Sequence, residues 1–446
     1  MDNADRIKPY LHNPTYWQYK QQPVLLVGGS KTDHLFLLDD LEEHLDEIRE
    51  TGGNYVRNTM SQREAETLKP FELQPSGKFD LDVWNDDYWQ RFQNMLAWTA
   101  QRSIIVQIEI WDRFDYSQDK WEHSPWNPAR NVNYTYEASG FAPSYPLHPS
   151  ADVHPFFHTV QEMTQYRPHY DRIRVYQERF VTKLLSHSLP YGHVLYCMDN
   201  ETSSDPAWGQ YWIRFVHRQA VDAGVTVYTT DMFDDAWRGP DSVHFPVALH
   251  APELYTFLDI SQVNSRNFHK IHWSRMRWLL EQIELHPRPA NNTKVYGGGH
   301  TMWGSGGLED GVQRFWRNLI GGCASARFHR PPSGNGLNNR AKASLAAVRK
   351  LETVIRLWDV APQMDLLSER ADEVYAAARP GTQYALYFAD GGTVGLDLRG
   401  HAGAFTLRWI SVTTGNWGPL WTLEGDTLVE LAAPGPGGWI AAVVRA

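Results

Sequence analysis

The sequence predicts an α/β fold: a (β/α)8 TIM barrel over residues 1–362, followed by a small antiparallel β-sandwich over 363–446. Three observations predict it. Short apolar, β-branched runs alternate with helix-length amphipathic segments, the pattern of parallel strands joined by helical crossovers. Eight such units fit within the ~200 to over 400 residues that barrels of this kind occupy. Beyond residue 363 the texture changes to short alternating strands separated by turns such as Asp390-Gly391-Gly392 and Pro434-Gly435-Pro436-Gly437. An open doubly wound sheet is the runner-up, but its Gly-rich fingerprint is missing.

The first strand is read at 23–29, where Pro23-Val24-Leu25-Leu26-Val27 runs into Gly28-Gly29. A helix follows at 37–51, because Leu38, Leu41, Leu45 and Ile48 recur at three- and four-residue spacing before the stop at Gly52-Gly53. Strand two is 54–60, helix two 86–102 and strand three 104–112. The gap from 113 to 170 is dense in Trp, Tyr, His and Pro, so it is expected to lie over the carboxyl-end face where such barrels carry their sites. Helix three is 171–189, strand four 193–201, helix four 208–224, strand five 226–232 and strand six 256–262. A helix at 268–286 leads to strand seven at 294–300, a helix at 308–320 and strand eight at 322–330. A last helix at 341–357 precedes the sandwich strands at 384–388, 394–398, 405–410, 428–431 and 439–444.

Composition narrows the function. The 446 residues hold 42 Lys plus Arg against 52 Asp plus Glu, a net charge of −10, which opposes nucleic acid as a partner. No apolar run reaches the ~18 residues of a membrane span. Residues 1–8 are polar and show no signal peptide, so the expectation is a cytoplasmic protein or one exported with its leader removed. Two cysteines, Cys197 and Cys323, build neither a disulfide framework nor a thiolate metal site. His154 and His158 have i, i+4 spacing, but no nearby Glu completes a protease motif, and no phosphate loop or nucleophile elbow is present, so no metal and no cofactor are expected. The 19 Trp, 21 Tyr and 18 Phe often stand beside polar residues, as in Trp111-Asp112-Arg113, a pairing that suits stacking on sugar rings and hydrogen bonding of their hydroxyls.

Candidate site residues lie at strand ends. Strand two ends in Arg57-Asn58 and strand three in Glu109-Ile110-Trp111-Asp112. Strand four ends in Asp199-Asn200-Glu201, strand five in Asp231, strand six in Gln262, and strand seven in Gly297-Gly298-Gly299-His300 with Trp303 beyond. Glu201 follows an amide donor at the end of an apolar strand, a setting for protonating a glycosidic oxygen while Asn200 holds a hydroxyl. His300 and Trp303 are candidates for a sugar-binding wall. Glu109 lies two residues before Trp111, hence on the same side of an extended strand, and either faces the strand ends or pairs with Arg57.

Together the segments Pro23 to Gly29, Gly52-Gly53-Asn54-Tyr55-Val56-Arg57-Asn58, Phe79-Asp80-Leu81 and Asp199-Asn200-Glu201, with the C-terminal β domain, resemble the clan A glycoside hydrolases. More narrowly they resemble the apiosidase-like group, some members of which carry a collagenase label. The resemblance implies Glu201 as general acid/base, Asn200 on a ring hydroxyl and Arg57 supporting an opposing carboxylate. The clan's nucleophile is a Glu ending strand seven, and here no acid occurs from 294 to 308. Three readings follow. The site is an inverting one in which Asp231, Glu109 or Asp112 activates water while Glu201 is the acid, or it binds carbohydrate without cleaving it, or Glu309 or Asp310 serves after a register shift.

Overall fold

The computed structural model describes residues 3–61, 67–299, 304–368 and 373–446. Its fold is mixed α/β with a C-terminal antiparallel sheet. Eight short parallel segments occur in chain order: β1 (Leu26–Gly29), β2 (Tyr55–Thr59), β3 (Ile105–Asp112), β4 (Val194–Asn200), β5 (Thr229–Thr230), β6 (Leu258–Asp259), β7 (Ala290–Asn291) and β8 (Ser325–Phe328). All are buried along their length, as parallel strands covered on both faces should be.

Their pairing follows a cycle. β2, β3, β4 and β5 form one parallel sheet, β6 pairs with β7, and β8 pairs with β1. The Asn54 amide donates to the Val27 carbonyl at 2.8 Å between β1 and β2. Hydroxyls of Thr256 and Thr230 accept backbone amides between β5 and β6, and Ala324 N–H donates to Ala290 O at 2.9 Å between β7 and β8. Each segment thus adjoins the next and the last adjoins the first, the neighbour order the barrel expectation requires. A Cβ at Gly28 would stand 2.0 Å from the Tyr55 carbonyl oxygen, so only glycine permits that approach of β1 to β2.

Seven of the eight expected strand regions contain a parallel segment. The exception is strand seven, whose segment begins four residues earlier than the apolar reading placed it, while within the expected 294–300 Val295 makes a single parallel bridge to Phe328. The run Ala290-Asn291-Asn292-Thr293 is polar, and its side chains bond inward: Trp17 Nε1 donates to Asn291 Oδ1 at 2.9 Å, Asn291 donates to the Tyr55 hydroxyl at 3.0 Å, and the Thr293 hydroxyl to Asp259 at 3.1 Å. A strand held by amides and hydroxyls carries no hydrophobic signature. Lys294 consequently stands beyond the end of β7 and not at its start.

Helices cover the strands: α1 (Leu41–Glu50), α2 (Asp86–Gln101), α3 (Asp171–Ser188), α4 (Pro206–Asp222), α5 (His269–Glu281), α6 (Leu308–Ile320) and α7 (Asn339–Glu352). Asn85, Asp205 and Asn338 cap α2, α4 and α7 through their side-chain oxygens. The α6 start at Leu308 places Glu309 against Arg340 and Asp310 on the Gly307 amide, so neither acid serves strand seven. Among the described residues no helix is long and apolar enough to cross a membrane. An N-terminal antiparallel sheet (Lys8–Tyr10, Asn13–Tyr19, Gln22–Val24) and a hairpin (Phe71–Leu73, Phe79–Trp84) were not expected from the sequence.

The C-terminal sheet contains β9 (Ala361–Pro362), β10 (Val374–Arg379), β11 (Gln383–Phe388), β13 (Ala404–Ser411), β14 (Trp417–Glu424) and β16 (Trp439–Arg445), in the order β9-β10-β11-β16-β13-β14. A two-stranded ribbon, β12 (Thr393–Asp397) with β15 (Leu428–Ala432), covers one face through Val394, Leu396 and Leu431. The other face sets Tyr387 against Trp316 of α6 and Tyr375 against Trp273 of α5, at ring separations of 6.0 and 4.7 Å. The sheet takes its first strand from Ala361–Pro362, the two residues before the expected boundary at 363.

Candidate functional site

Two adjoining cavities open at the carboxyl ends of the parallel strands. The larger, about 390 Å³, is lined by residues that follow β1 and β8, with Arg57, Asp112, Asn200, Glu201, Lys294 and Tyr296. The smaller, about 130 Å³, is lined among others by His148, Asp234, Trp237, Gln262 and Arg266. Phe114, Glu201 and Tyr296 line both.

Glu201 directly follows β4 with φ +57°, the left-handed region that is costly for a residue with a Cβ. The turn sets its carboxylate against Lys294 and Tyr296, which follow β7. Its Oε1 accepts from Lys294 Nζ at 2.5 Å and from the Tyr296 hydroxyl at 2.9 Å. Burial would push this carboxyl up. The Lys294 charge and hydrogen bond, with that of Tyr296, outweigh burial and carry it down to about 2. Glu201 is therefore ionised at neutral pH, the reverse of the proton-donor state expected of it.

Arg57 is fully buried and divides its donors: Nε to Glu109 at 2.5 Å, Nη1 to Asp33 at 2.6 Å and Nη2 to the Asn200 amide oxygen at 2.9 Å. Lys294 also donates to that amide oxygen. Asn200 is thus fixed between two cations, and Glu109 is the buried partner of Arg57. Asp33 is held well below its usual range: burial acts against ionisation, but the Arg57, Arg327 and Arg330 guanidinium groups prevail.

Asp234 heads the 3-10 helix Asp234–Asp241 and is perturbed the other way. Burial raises its proton affinity first, and the Glu201 charge raises it further. The smaller cavity thus has one carboxyl held ionised and a second biased toward holding its proton.

Several expected site residues stand elsewhere. Asp231 is buried, accepts the Asp199 and Met232 amides at 3.0 Å each, and lines neither cavity, so it is not placed to activate water there. Gly209 of α4 makes room for it, since a Cβ there would lie 2.2 Å from its Oδ2. Trp111 is 2% exposed and packs among Phe156, Trp208, Trp212 and Phe180 beneath α3 and α4, away from both cavities. Glu109 meets Arg57 while Trp111 packs under α3 and α4, so the two-residue spacing does not keep them together. Asn58 is buried, accepts the Phe36 amide at 3.3 Å, and lines neither cavity. Asp112 lines the larger cavity and accepts the Phe114 amide; Gln262 lines the smaller. His300 and Trp303 lie outside the described residues. Among the described residues no three His, Cys, Asp or Glu side chains group to hold a metal ion.

Sequence reasoning missed Asp33, Asp234, Lys294, Tyr296 and Arg330. Lys294 was hidden by the polar seventh strand.

No protein-family model and no curated protein matches this sequence. Solved structures do resemble it in fold. A glycoside hydrolase family 5 structure from Bacteroides vulgatus ATCC 8482 is 11% identical with a TM-score of 0.63, over 99% of this chain and 94% of that chain. A structure titled glycoside hydrolase gives 0.66 at 10% identity, over 99% and 97%. A family 39 glycoside hydrolase from the gut symbiont Bacteroides cellulosilyticus WH2 gives 0.52 at 13% identity, over 96% and 84%. At such identities the likeness is one of fold: the chain takes the fold of these glycoside hydrolases.

Proposed function

We propose that the chain is a clan A type glycosidase of the apiosidase-like group. In this reading the eight parallel segments close a (β/α)8 barrel, the C-terminal sheet and its ribbon form a sandwich domain, and an oligo- or polysaccharide is cleaved at the strand ends. The observation that carries it is the pair Glu201 and Asp234, two carboxyl groups on one cavity whose surroundings push their proton affinities apart, the usual mark of a base and an acid.

The roles follow from the charge states. A water admitted to the cavity attacks the anomeric carbon and gives its proton to ionised Glu201. The bond from that carbon to the leaving oxygen breaks as the oxygen takes the Asp234 proton. Asn200, fixed by Arg57 and Lys294, is left with its NH2 group for a ring hydroxyl, and Trp237 offers a stacking face for a second ring. No acid occurs from 290 to 308 to act as a nucleophile, which favours single displacement with inversion.

The test is the anomeric form of the first product, read by NMR during cleavage of aryl glycosides and oligosaccharides. Inversion is expected; retention would overturn the assignment by requiring a covalent nucleophile. One observation favours a second reading, binding without cleavage: the Lys294 ion pair on Glu201 Oε1 lowers the proton affinity of the carboxylate and so weakens it as a base. Calorimetric binding of a glycan with no turnover across a broad panel would select that reading.

A further inference from the structure

We propose that the larger cavity selects a saccharide bearing an oxyanion, a carboxylate or a sulfate ester, and that Arg330 with Lys31 forms the subsite that receives it. The inference rests on the saccharide reading above and narrows its substrate class. The protein as a whole carries a net charge of −10. This cavity runs against that balance: Lys31, Arg57, Lys294 and Arg330 line it with only Asp33, Asp112 and Glu201 as acids.

The acids are already engaged. Glu201 takes Lys294 and Tyr296, and Asp112 accepts the Phe114 amide at 3.1 Å. Asp33 meets Arg57 at 2.6 Å, Arg330 at 2.9 Å and Arg327 at 3.5 Å. Three guanidinium groups converge on that one carboxylate. Arg57 also holds Glu109, but Arg327 and Arg330 have no second acid among the described residues, so positive charge is in surplus on this wall. His329 adds none, because burial drives it well below its ordinary range.

Arg330 is the one of the three that reaches solvent, its side chain 32% exposed. Asp33 fixes its Nε at 2.9 Å, and Nη1 donates to the Pro331 carbonyl at 3.3 Å. Its Nη2 makes no hydrogen bond among the described residues. A guanidinium clamped along one edge and open at the other is a preorganised oxyanion receptor, which loses little freedom when it binds. Lys31 stands on the same wall, 40% exposed and tethered to Asp40, and adds a second cation at the rim.

The experiment is isothermal titration of the full chain with methyl β-D-glucuronide, methyl β-D-galacturonide and glucose 6-sulfate, each against its neutral counterpart. At least one anion is expected to bind about tenfold tighter than its partner, with the preference lost in Arg330→Ala. Preference for a uronide identifies a carboxylate as the group bound; preference for the sulfate identifies a sulfated sugar. Thermal unfolding checks that the variant folds, and Lys31→Ala, a change at the rim, is expected to weaken the same preference about threefold. Equal binding of every anion and its neutral partner overturns the inference, as does a preference that survives both substitutions. Cleavage of neutral glycosides without anion preference would remove this inference and leave the hydrolase; Arg330-dependent uronide binding without turnover would do the opposite.

Discussion

At Glu201 two opposing effects act on one proton: burial favours keeping it, while the Lys294 ammonium at 2.5 Å and the Tyr296 hydroxyl at 2.9 Å favour losing it. In the proposed reading Glu201 is the base and must be ionised to work, so activity should persist to low pH until folding fails. Lys294→Met removes the largest force against burial. Its kcat/KM profile is expected to show an acid limb displaced upward by a unit or more, with activity lost below it. A profile that instead lost its alkaline limb would mark Glu201 as the acid. The linkage has the matching sign: the folded value lies below the ordinary 4.5, so the pair's stabilisation is complete above that pH and is lost as the pH falls through about 2. Asp234→Asn is expected to lower kcat about 10²- to 10⁴-fold on alkyl glycosides and far less on aryl glycosides with acidic leaving groups, in steady-state assays. At this scale the sequence was informative where an apolar strand ended in polar residues, hence Arg57, Asn200 and Glu201. It misled where one residue type has two common uses: Asp231 is a buried partner of backbone amides and Trp111 is packing, while Glu109 takes the second of the two places the sequence offered it, beside Arg57.

The element that most affects the site's surroundings is the segment from 113 to 170. Its Trp121, Trp126, Phe156 and Phe157 are buried, so it is a packed layer with its own aromatic core. Arg113 bolts this layer to the end of β4, with Nε on Asp199 at 2.7 Å and Nη1 on Asp152 at 2.9 Å. Removing it leaves a buried carboxylate unpaired, so Arg113→Ala should cost about 3 to 5 kcal/mol, measured by denaturant unfolding. Asp199 is raised by burial, against the pull of Arg113, to about 7, and Asp231 is raised by burial and by Asp199. Raised carboxyls bind more protons folded than unfolded, so stability should decline as pH rises from about 4 toward 7. Asp199→Asn is expected to flatten that decline, seen as melting temperature against pH. The amphipathic helices were legible from their spacing. β14 was not, because Trp417-Gly418-Pro419 reads as a turn; as the sheet's edge strand it can hold a proline.

Across the whole molecule, the cyclic order of parallel segments was legible because the alternation of apolar run and amphipathic helix is a long-range pattern that survives errors of a few residues. How the C-terminal sheet attaches was not, since it depends on side chains distant in sequence. Tyr375 and Tyr387 cover Trp273 and Trp316, and Arg317 pairs with Glu373 at 3.1 Å. Removing residues 361–446 would uncover this aromatic surface. The truncated chain is expected to bind a hydrophobic dye or precipitate, and the full chain to melt in one calorimetric transition; two well-separated transitions would show independent units.

Trp17 belongs to the N-terminal sheet, is fully buried, and grips Asn291 through its indole N–H. Three residues further along the chain stands Lys294, which lines the larger cavity. A residue of the N-terminal sheet that lines neither cavity therefore anchors the segment from which that ammonium reaches Glu201.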